Sequence, residues 1–277
     1  MAPEQPVRQL FSTSLGQDPG RNRLSGLRVL VVGAGQRPTP HPESTIGNGR
    51  AMSILFAREG ATVACADLDF ASAQETVDLI YAAGGKAKAI QADVAQPPAI
   101  PAMFDAAGEL DAVVANIGIG SGRNLKTETA ETWDQVMQVN VRAHMLIGQR
   151  ALVSLSEGGA VLLISSLAAE RPTGRNPSYE TSKAALSALC RAIALEGQPR
   201  GIRANTLAPG LLDTPMGRAA SERSPSRAAA ALPFGRQGTA WEMAYAALFL
   251  ISKEASYVNA QTLFVDGGLG CGVVLPR

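Results

Sequence analysis

Residues 28–58 read RVLVVGAGQRPTPHPESTIGNGRAMSILFAR, and this stretch decides the fold. Its first run, Arg28–Val32, is too short and too rich in β-branched residues for a helix, which predicts a buried strand. Four glycines follow the strand: Gly33, Gly35, Gly47 and Gly49. Apolar residues then recur at helical spacing over Arg50–Arg58. A strand, a glycine-rich turn and a helix in this order predict the first crossover unit of a parallel α/β sheet.

The same alternation of short apolar runs and amphipathic segments continues along the chain. Six more strands are predicted, at Thr62–Ala66, Lys86–Gln91, Asp111–Ala115, Ala160–Ser165, Ile202–Thr206 and Thr262–Val265. The predicted helices are Phe70–Ala83, a short helix opened by Pro97 and Pro98, Ala130–Leu155 with a Gly158-Gly159 stop, Tyr179–Glu196 and Trp241–Ile251. We therefore expect an α/β fold, a single Rossmann-type domain over 25–277 whose doubly wound parallel sheet has about seven strands and helices on both faces. Residues 1–24, which contain several Pro, Gly and Ser residues, are expected to be a flexible or loosely docked N-terminal extension.

The composition argues against several classes of protein. Hydrophobic residues make up 46% and charged residues 18%, so the chain is able to bury a large core. The formal net charge is +1 and Lys and Arg are spread along the chain, which argues against nucleic acid as a partner. Three cysteines without a paired spacing predict reduced thiols and no metal site, which fits a cytoplasmic protein. No apolar run reaches the roughly 20 residues of a membrane span, and residues 1–24 lack the apolar core of a signal peptide.

Ligands of such sheets bind beyond the carboxyl ends of the strands, so the residues after each strand are candidate contacts. The glycines after the first strand, together with Asn48, would let the backbone approach a pyrophosphate at a helix N-terminus, although an ordinary glycine-rich turn is the alternative. The predicted second strand is followed by Asp67-Leu68. The Asp67 carboxylate would bind an adenosine ribose and repel a 2′-phosphate, which favours NAD, unless it is only a solvated helix cap. Further strand ends extend the same crevice with Asp93-Val94 and Asn116-Ile117-Gly118.

The strongest chemical signal is Tyr179 with Lys183, four residues apart on one helix face. A nearby positive charge lowers the pKa of a phenol, which makes it a usable proton donor and acceptor near neutral pH. Ser166 follows the fifth strand, where its hydroxyl would hydrogen-bond a substrate oxygen. A Tyr-x-x-x-Lys pair by itself is usually a solvated helix face, so the interpretation depends on the combination with the glycines, Asp67 and the serine.

These pieces together resemble the short-chain dehydrogenase/reductase (SDR) family, and the resemblance covers the chain from Leu24 to Leu269. The matching motifs are Gly33 with Gly47-Asn48-Gly49, Asp67, Asp93-Val94, Asn116-Ile117-Gly118, Val139-Asn140-Val141, Ile164-Ser165-Ser166, Tyr179-Glu180-Thr181-Ser182-Lys183, Ala208-Pro209-Gly210 and Val265-Asp266-Gly267-Gly268. The combination is highly specific.

The resemblance implies the catalytic roles. Tyr179 is then the general acid/base, and Lys183 orients the nicotinamide ribose while lowering the pKa of the tyrosine. Ser166 polarises the substrate oxygen, and Asn140 holds a water in a proton relay. The residues implied to flank the nicotinamide are Pro209, Leu212 and Thr214.

The resemblance also implies the surroundings of the site. Residues 216–231 match the family's mobile substrate loop, and Ile119–Asn124 is expected to line the other wall of the pocket. Family members are often tetramers, which predicts a homotetramer built through Ala130–Leu155 and Tyr179–Glu196.

The sequence departs from the family pattern in three places. Val32 stands where a threonine usually precedes the first glycine, and the usual Asn-Asn-Ala-Gly reads Ala115-Asn116-Ile117-Gly118. The glycine loop is lengthened to thirteen residues, Ala34 to Ile46. This insertion is either a neutral surface excursion or, as we hypothesise, a contact to the adenosine and pyrophosphate through Arg37, Ser44 or Thr45. It leaves open whether Gly35 shares or replaces the role of Gly33.

The sequence therefore predicts an oxidoreductase that transfers a hydride between NAD(H) and a secondary alcohol or ketone. One alternative is an NADPH-dependent reductase of 3-oxoacyl thioesters, against which Asp67 weighs. Another is a regulatory protein that binds NAD without turnover, which the presence of both Tyr179 and Lys183 disfavours. The two histidines, His41 and His144, are expected to be structural or solvated.

Overall fold

The structure, a computed structural model, describes residues 10–37, 45–222 and 231–273. The strands are β1 Arg28–Val32, β2 Thr62–Asp67, β3 Lys86–Gln91, β4 Leu110–Ala115, β5 Leu155–Ile164, β6 Arg203–Pro209, β7 Leu212–Asp213, β8 Gly238–Thr239 and β9 Thr262–Val265. The α-helices are α1 Asn48–Arg58, α2 Phe70–Ala82, α3 Ala99–Ala107, α4 Ala130–Met137, α5 Ala143–Ser154, α6 Pro177–Gly197, α7 Pro215–Glu222 and α8 Ala240–Ile251. No helix in the described part of the chain is long and apolar enough to cross a membrane.

Seven strands form one parallel sheet in the order β3-β2-β1-β4-β5-β6-β9. Alternate residues of β1 point to opposite faces. Val29 and Val31 pack into a core with α1, α2 and α8, whereas Leu30 and Val32 pack into a second core with α3, α5 and α6. Because helices cover both faces of the sheet, the central strands β1 and β4 are mostly apolar, and the predicted doubly wound sheet is confirmed.

The strand order places a crevice above β1. The chain leaves β1 through α1 to β2 on one side, and it later crosses from β3 to β4 on the other side. Connections that diverge in this way leave space beyond the carboxyl ends of the strands, where α/β proteins bind ligands. The residues that follow β1, β2, β4 and β5 therefore meet around one opening.

The predicted long helix over Ala130–Leu155 is interrupted. A π-helical turn, Gln138–Arg142, separates α4 from α5. The chain leaves α5 before Gly158-Gly159, and Leu155 already pairs with β4. The two glycines lie inside β5 where its register to β4 shifts, and Gly158 has a φ of 72° that favours glycine. The prediction that they end the helix is wrong, because they serve an irregularity of the strand.

The part of the N-terminal segment that the structure describes, residues 10–24, is docked on α1 and α8. Ser14 is buried, and its Oγ donates a hydrogen bond to Glu242 Oε1 at 3.0 Å. Two backbone N–H groups of the segment donate to the buried carboxylate of Glu59 at 2.9 and 3.0 Å. Of the two alternatives expected for 1–24, a flexible or a loosely docked extension, this part is docked, because its polar groups find buried partners.

Three short elements after β6 were not predicted, namely β7, β8 and α7. β7 and β8 form a two-stranded parallel ladder, and strands of two residues carry no recognisable periodicity. The stretch over 216–231, in which the resemblance implied a mobile loop, begins inside the helix α7. Residues 223–230 of that stretch lie outside the described residues.

Candidate active site

The glycine-rich turn closes tightly between β1, β2 and α1. The backbone N–H groups of Gly33 and Ala34 both donate to Ala66 O at the end of β2, at 2.8 and 3.0 Å. Gly33 has a φ of 82°, and a Cβ on Gly49 would collide with the Gly33 carbonyl oxygen. Both positions therefore need glycine, since a larger residue would push the helix away from the strand.

The N-terminus of α1 has the features of an anion-binding site. Its N-cap residue, Gly47, offers no side chain to cap the helix, and the first turn, all of it described, holds no acidic residue. Among the described residues, Thr45 Oγ1 and Asn48 Oδ1 are buried here without a hydrogen-bond partner. Unpaired backbone N–H groups, the positive end of the helix dipole and the Thr45 hydroxyl fit a phosphate group. The residues present therefore fit the pyrophosphate of a dinucleotide.

The Asp67 carboxylate at the end of β2 faces this turn. Gly35 N–H donates to Asp67 Oδ2 at 2.8 Å, and Asp69 N–H donates to Oδ1 at 3.1 Å. The helix cap of α2 is Asp69, whose carboxylate accepts from Ala71 N–H. Asp67 is thus not the cap of that helix. Gly35 orients Asp67, while the exposed Leu68 lies beside it at the rim.

Gln36 joins the two ends of the lengthened loop. Its side-chain Oε1 accepts from Gly47 N–H at 2.8 Å, and its backbone N–H donates to Ser72 Oγ at 2.7 Å. The insertion therefore leaves and rejoins the turn at nearly one point. Arg37 is exposed there. The residues 38–44, which include His41 and Ser44, lie outside the described residues.

The turns after β3 and β4 continue the crevice. Asp93 Oδ1 accepts from Ala95 N–H at 3.0 Å, which shapes the turn after β3, and Val94 is half-buried against the core. Asn116 Nδ2 donates to Gly33 O at 2.9 Å. This bond connects the end of β4 to the glycine turn after β1, so the residues predicted at these two strand ends do come together.

Lys183 is buried at the junction of β4 and β5. Its Nζ donates to Ile117 O at 3.0 Å and to Ile164 O at 2.8 Å. Burial lowers the pKa of Lys183 to about 7. Gly118 passes so close that a Cβ there would lie 3.0 Å from Nζ. The ammonium nitrogen is 5.8 Å from the centre of the Tyr179 ring, which is near enough to influence the phenol.

Asn140 projects from the π-helical turn and is fully buried. Its Oδ1 accepts from Ile119 N–H, and its Nδ2 donates to Ile119 O, both at 2.8 Å. Nδ2 also donates to Ser182 Oγ at 2.9 Å, and Ser182 Oγ donates to Tyr179 O at 2.7 Å. The side chain therefore links the segment after β4 to the turn of α6 that carries Tyr179. The water in a relay that the resemblance implied stays a prediction.

β5 is followed by two serines with different surroundings. Ser165 is buried, and its Oγ donates to Lys183 O at 2.8 Å, which ties α6 to the strand. Ser166 is half-buried, and its Oγ accepts from Ala168 N–H at 3.2 Å. Because that bond uses only a lone pair of Ser166, its hydroxyl proton remains to be donated to a substrate oxygen.

The residues after β6 form the far side of the crevice. Leu212 and Thr214 are buried, and Pro209 is half-buried. Thr214 Oγ1 accepts from Gly217 N–H at 3.0 Å, which fixes the start of α7. Their predicted contact with a nicotinamide ring stays a prediction.

Sequence reasoning missed the polar side chains that hold these groups in place. Ser165 directly precedes Ser166 after β5, and Ser182 directly precedes Lys183 on α6. A position next to these motif residues is the signal that would have found them. Gln36 carries no such signal, because its partner Gly47 is brought close only when the insertion closes.

His144 has no chemical part in this arrangement. It is fully buried on α5, and burial lowers its pKa to about 3. The imidazole is therefore neutral at physiological pH, in keeping with the structural role expected for it.

The chain is similar to known proteins over most of its length. A family model described as enoyl-(acyl carrier protein) reductase matches residues 43–270. A (3R)-3-hydroxyacyl-CoA dehydrogenase of Mus musculus is 34% identical over 265 residues, which cover 89% of this chain and 97% of the relative. A solved short-chain dehydrogenase/reductase from Burkholderia xenovorans matches with a TM-score of 0.81 and 31% identity over 91% of this chain and 99% of that one.

A further solved structure, from Agrobacterium tumefaciens, is described as a 2-deoxy-D-gluconate 3-dehydrogenase with bound NADP. It matches with a TM-score of 0.77 and 34% identity over 88% of this chain and 96% of that one. These proteins are covered along nearly their whole lengths, so the similarity extends over the complete sheet and not only over its nucleotide-binding half. The chain belongs to the short-chain dehydrogenase/reductase family of oxidoreductases.

Proposed function

We propose that this chain is an NAD(H)-dependent enzyme that interconverts a secondary alcohol and the corresponding ketone. The observation that carries the proposal is the meeting of Tyr179, Lys183, Ser166 and Asn140 at the carboxyl ends of β4 and β5. These residues adjoin a glycine turn that fits a pyrophosphate. Relatives named for a hydroxyacyl thioester and a deoxysugar acid support chemistry on a carbon that bears a hydroxyl group.

The protein's own groups handle the substrate oxygen and its proton. A bound nicotinamide supplies the hydride acceptor or donor. Ser166 Oγ donates to the substrate oxygen, and the Tyr179 phenol removes or returns the hydroxyl proton. The Lys183 ammonium lowers the pKa of that phenol, and Asn140 holds the pocket wall and α6 in register.

The proposed cofactor is NAD rather than NADP. Gly35 N–H holds the Asp67 carboxylate, which would accept a hydrogen bond from the 2′-hydroxyl of the adenosine ribose. Its negative charge would repel the 2′-phosphate of NADP. Arg50, a cation near this turn, is buried and pairs with Glu75 at 2.8 Å. It is therefore committed elsewhere. The bound NADP of the Agrobacterium structure shows that both cofactors must be tested.

A second candidate is the reduction of 3-oxoacyl thioesters. The mouse relative is named for a 3-hydroxyacyl-CoA, which is the reduced partner of such a substrate. The catalytic groups would be the same, so the difference lies in the acyl carrier and in the cofactor.

The assembly and location that we propose are a homotetramer and the cytoplasm. Exposed apolar side chains on α5 and α6, namely Met145, Val153 and Leu195, support burial of these helices between subunits. The three cysteines, Cys65, Cys190 and Cys271, are all free thiols, which fits a reducing compartment.

Formation of NADH with a panel of secondary alcohols tests the proposal. The panel includes simple alcohols, sugar acids, hydroxysteroids and a 3-hydroxyacyl-CoA, each with NAD and with NADP. We expect turnover of at least one alcohol, with NAD preferred by at least about tenfold in kcat/KM, or about 1.4 kcal/mol. Activity confined to the thioester with NADP would favour the second candidate, and no turnover of any alcohol would refute both.

A further inference from the structure

Glu128 forms a polar cluster beside the active site that none of the roles above uses. It lies just before Thr129, the N-cap of α4. Ser178 Oγ donates to Glu128 Oε2 at 2.6 Å, and Ser121 Oγ donates to the same oxygen at 2.7 Å. Thr132 Oγ1 donates to the other carboxylate oxygen at 2.6 Å. One carboxylate therefore gathers hydroxyl groups from three separate segments of the chain.

The chemistry of the cluster requires an ionised acceptor. Each serine hydroxyl has one proton, and the shortest contact of each is the one to Glu128, whereas Ser178 Oγ and Ser121 Oγ are 3.1 Å apart. The hydrogen bonds from Ser178 and Thr132 lower the pKa of Glu128 to about 2. The carboxylate is thus charged at every pH at which the enzyme would work.

The two serines of the cluster lie on two different parts of the active site. Ser121 belongs to the segment Ile119–Asn124, which forms the expected wall of the substrate pocket. Ser178 is fully buried and immediately precedes Tyr179 on α6. Asn140 joins the same two segments a few residues away, through Ile119 and through Ser182. Tyr179 is therefore bracketed by two connections to the pocket wall, one on each side along the helix.

We propose that Glu128 is a positioning residue that fixes the wall segment Ile119–Asn124 against Tyr179. This inference rests on the proposed function, because it gives Glu128 a part in holding the substrate alcohol against the phenol. Without the carboxylate, the two serine hydroxyls lose their shared acceptor, and the wall keeps the Asn140 connection and the longer contact of 3.1 Å between Ser178 Oγ and Ser121 Oγ. A wall held by fewer and longer hydrogen bonds lets the substrate move away from Tyr179, and small misplacements of reacting groups cost large factors in rate.

The test compares Glu128→Ala and Glu128→Gln with Glu131→Ala. Glu131 is a matched control, because it is an exposed carboxylate on the first turn of α4, only three residues after Glu128. For Glu128→Ala we expect kcat/KM for the alcohol to fall roughly 5- to 50-fold, while the Kd for NAD stays within about twofold. Glu128→Gln keeps one acceptor oxygen and should retain an intermediate activity. The control should match the wild type.

Two further measurements separate positioning from general stability. Hydrogen exchange should quicken in a peptide that covers 119–124 in Glu128→Ala, and not in Glu131→Ala. The double variant Ser121→Ala/Glu128→Ala should be no worse than Glu128→Ala, because both changes break the same bond. Equal kcat/KM values for Glu128→Ala and the wild type would overturn the proposal. A lower kcat/KM that is explained entirely by a lower Tm of the variant, with no faster exchange over 119–124, would overturn it as well.

The outcomes for the two proposals are distinguishable. A wild type that turns over no alcohol refutes the proposed function, and the exchange comparison then still decides whether Glu128 holds the wall. If the alanine variant fails to fold, Ser178→Ala removes the bond between Glu128 and α6 and carries the expectation stated for Glu128→Ala, while Glu128→Gln keeps its intermediate expectation.

Discussion

Burial tunes the candidate catalytic residues one side chain at a time. Lys183 is held away from water, which disfavours its charged form, and two carbonyl oxygens within 3.0 Å offset only part of that cost. Its pKa of about 7 leaves a cation that is poised near neutrality. Tyr179 lies one helical turn away, with its ring centre 5.8 Å from Lys183 Nζ, and the role proposed for the phenol depends on this short distance.

Replacing Tyr179 with Phe should remove turnover and leave cofactor binding intact. The change deletes the proton path without touching the glycine turn or Asp67. General acid/base groups contribute about 10² to 10⁴ in rate, so kcat should fall by that factor while the Kd for NAD stays within about twofold. Tyr257→Phe, at a fully exposed tyrosine, is the matched control. Near-normal turnover by Tyr179→Phe with any good substrate would show that the assignment is wrong.

The ion pair of Arg28 and Asp111 should make the stability of the fold depend on pH. Arg28 binds the Asp111 carboxylate through Nε and Nη2 at 2.9 Å each, and these bonds lower the pKa of Asp111 to about 2. A carboxyl whose pKa is lower in the folded state stabilises the fold at pH values above its pKa in the unfolded state, which is about 4. This stability is lost as the pH falls from about 4 to about 2.

Asp111→Asn should therefore lower the free energy of unfolding by about 1–2 kcal/mol at pH 7, a range reduced for the partial exposure of Arg28. The difference from the wild type should shrink at pH 3. Urea unfolding at both values checks this. Glu109→Gln, at the exposed second partner of Arg28, should change little, and a difference that is independent of pH would contradict the account.

At the scale of elements, polar anchors decide how the irregular segments lie. The N-terminal segment is docked because Glu59 and Glu242 accept its hydrogen bonds, and the insertion closes because Gln36 reaches Gly47. The π-helical turn carries Asn140 into the site. None of these features follows from hydrophobic periodicity, which reports only which face of an element is buried.

Deleting residues 37–46 should leave a folded protein that binds NAD more weakly. The deletion joins Gln36 to Gly47, which are already in contact, and leaves three residues between Gly33 and Gly47, as in the family pattern. It removes Thr45, whose buried hydroxyl faces the anion-binding turn. We expect the Kd for NAD to rise several-fold, with little change of kcat at saturating NAD. Titration calorimetry decides it, with Thr45→Val as the narrower variant, and an unchanged Kd would make the insertion a neutral excursion.

At the scale of the whole molecule, the crevice makes stability depend on the cofactor. A ligand that binds only the folded state at a concentration of 100 times its Kd adds about 2.7 kcal/mol, which for a domain of this size is roughly 5–10 °C in Tm. The contacts proposed for NAD would come from the ends of β1, β2, β4 and β5 together, so the effect would report on the entire site rather than on one residue.

NAD should therefore raise the Tm more than NADP at equal concentration. A tenfold weaker affinity for NADP corresponds to about 1.4 kcal/mol, or roughly 3–5 °C less stabilisation at saturating concentrations. Thermal unfolding with each cofactor measures the difference, and Asp67→Asn should narrow it by removing the charge that opposes the 2′-phosphate. A larger shift with NADP for the wild type would refute the preference for NAD.

The sequence by itself determined the seven parallel strands, their helices and the strand-end residues, because the periodicity of apolar residues and the positions of glycines can be read from short stretches of the chain. It also pointed to Tyr179, Lys183, Ser166 and Asn140 through their spacing and family resemblance. Only the tertiary structure decided that Leu155 begins a strand, and that Ser182 and Glu128 connect α6 to the pocket wall. Such contacts join residues distant in the chain, and a hydroxyl or carboxylate reveals its partner only when folding brings the two together.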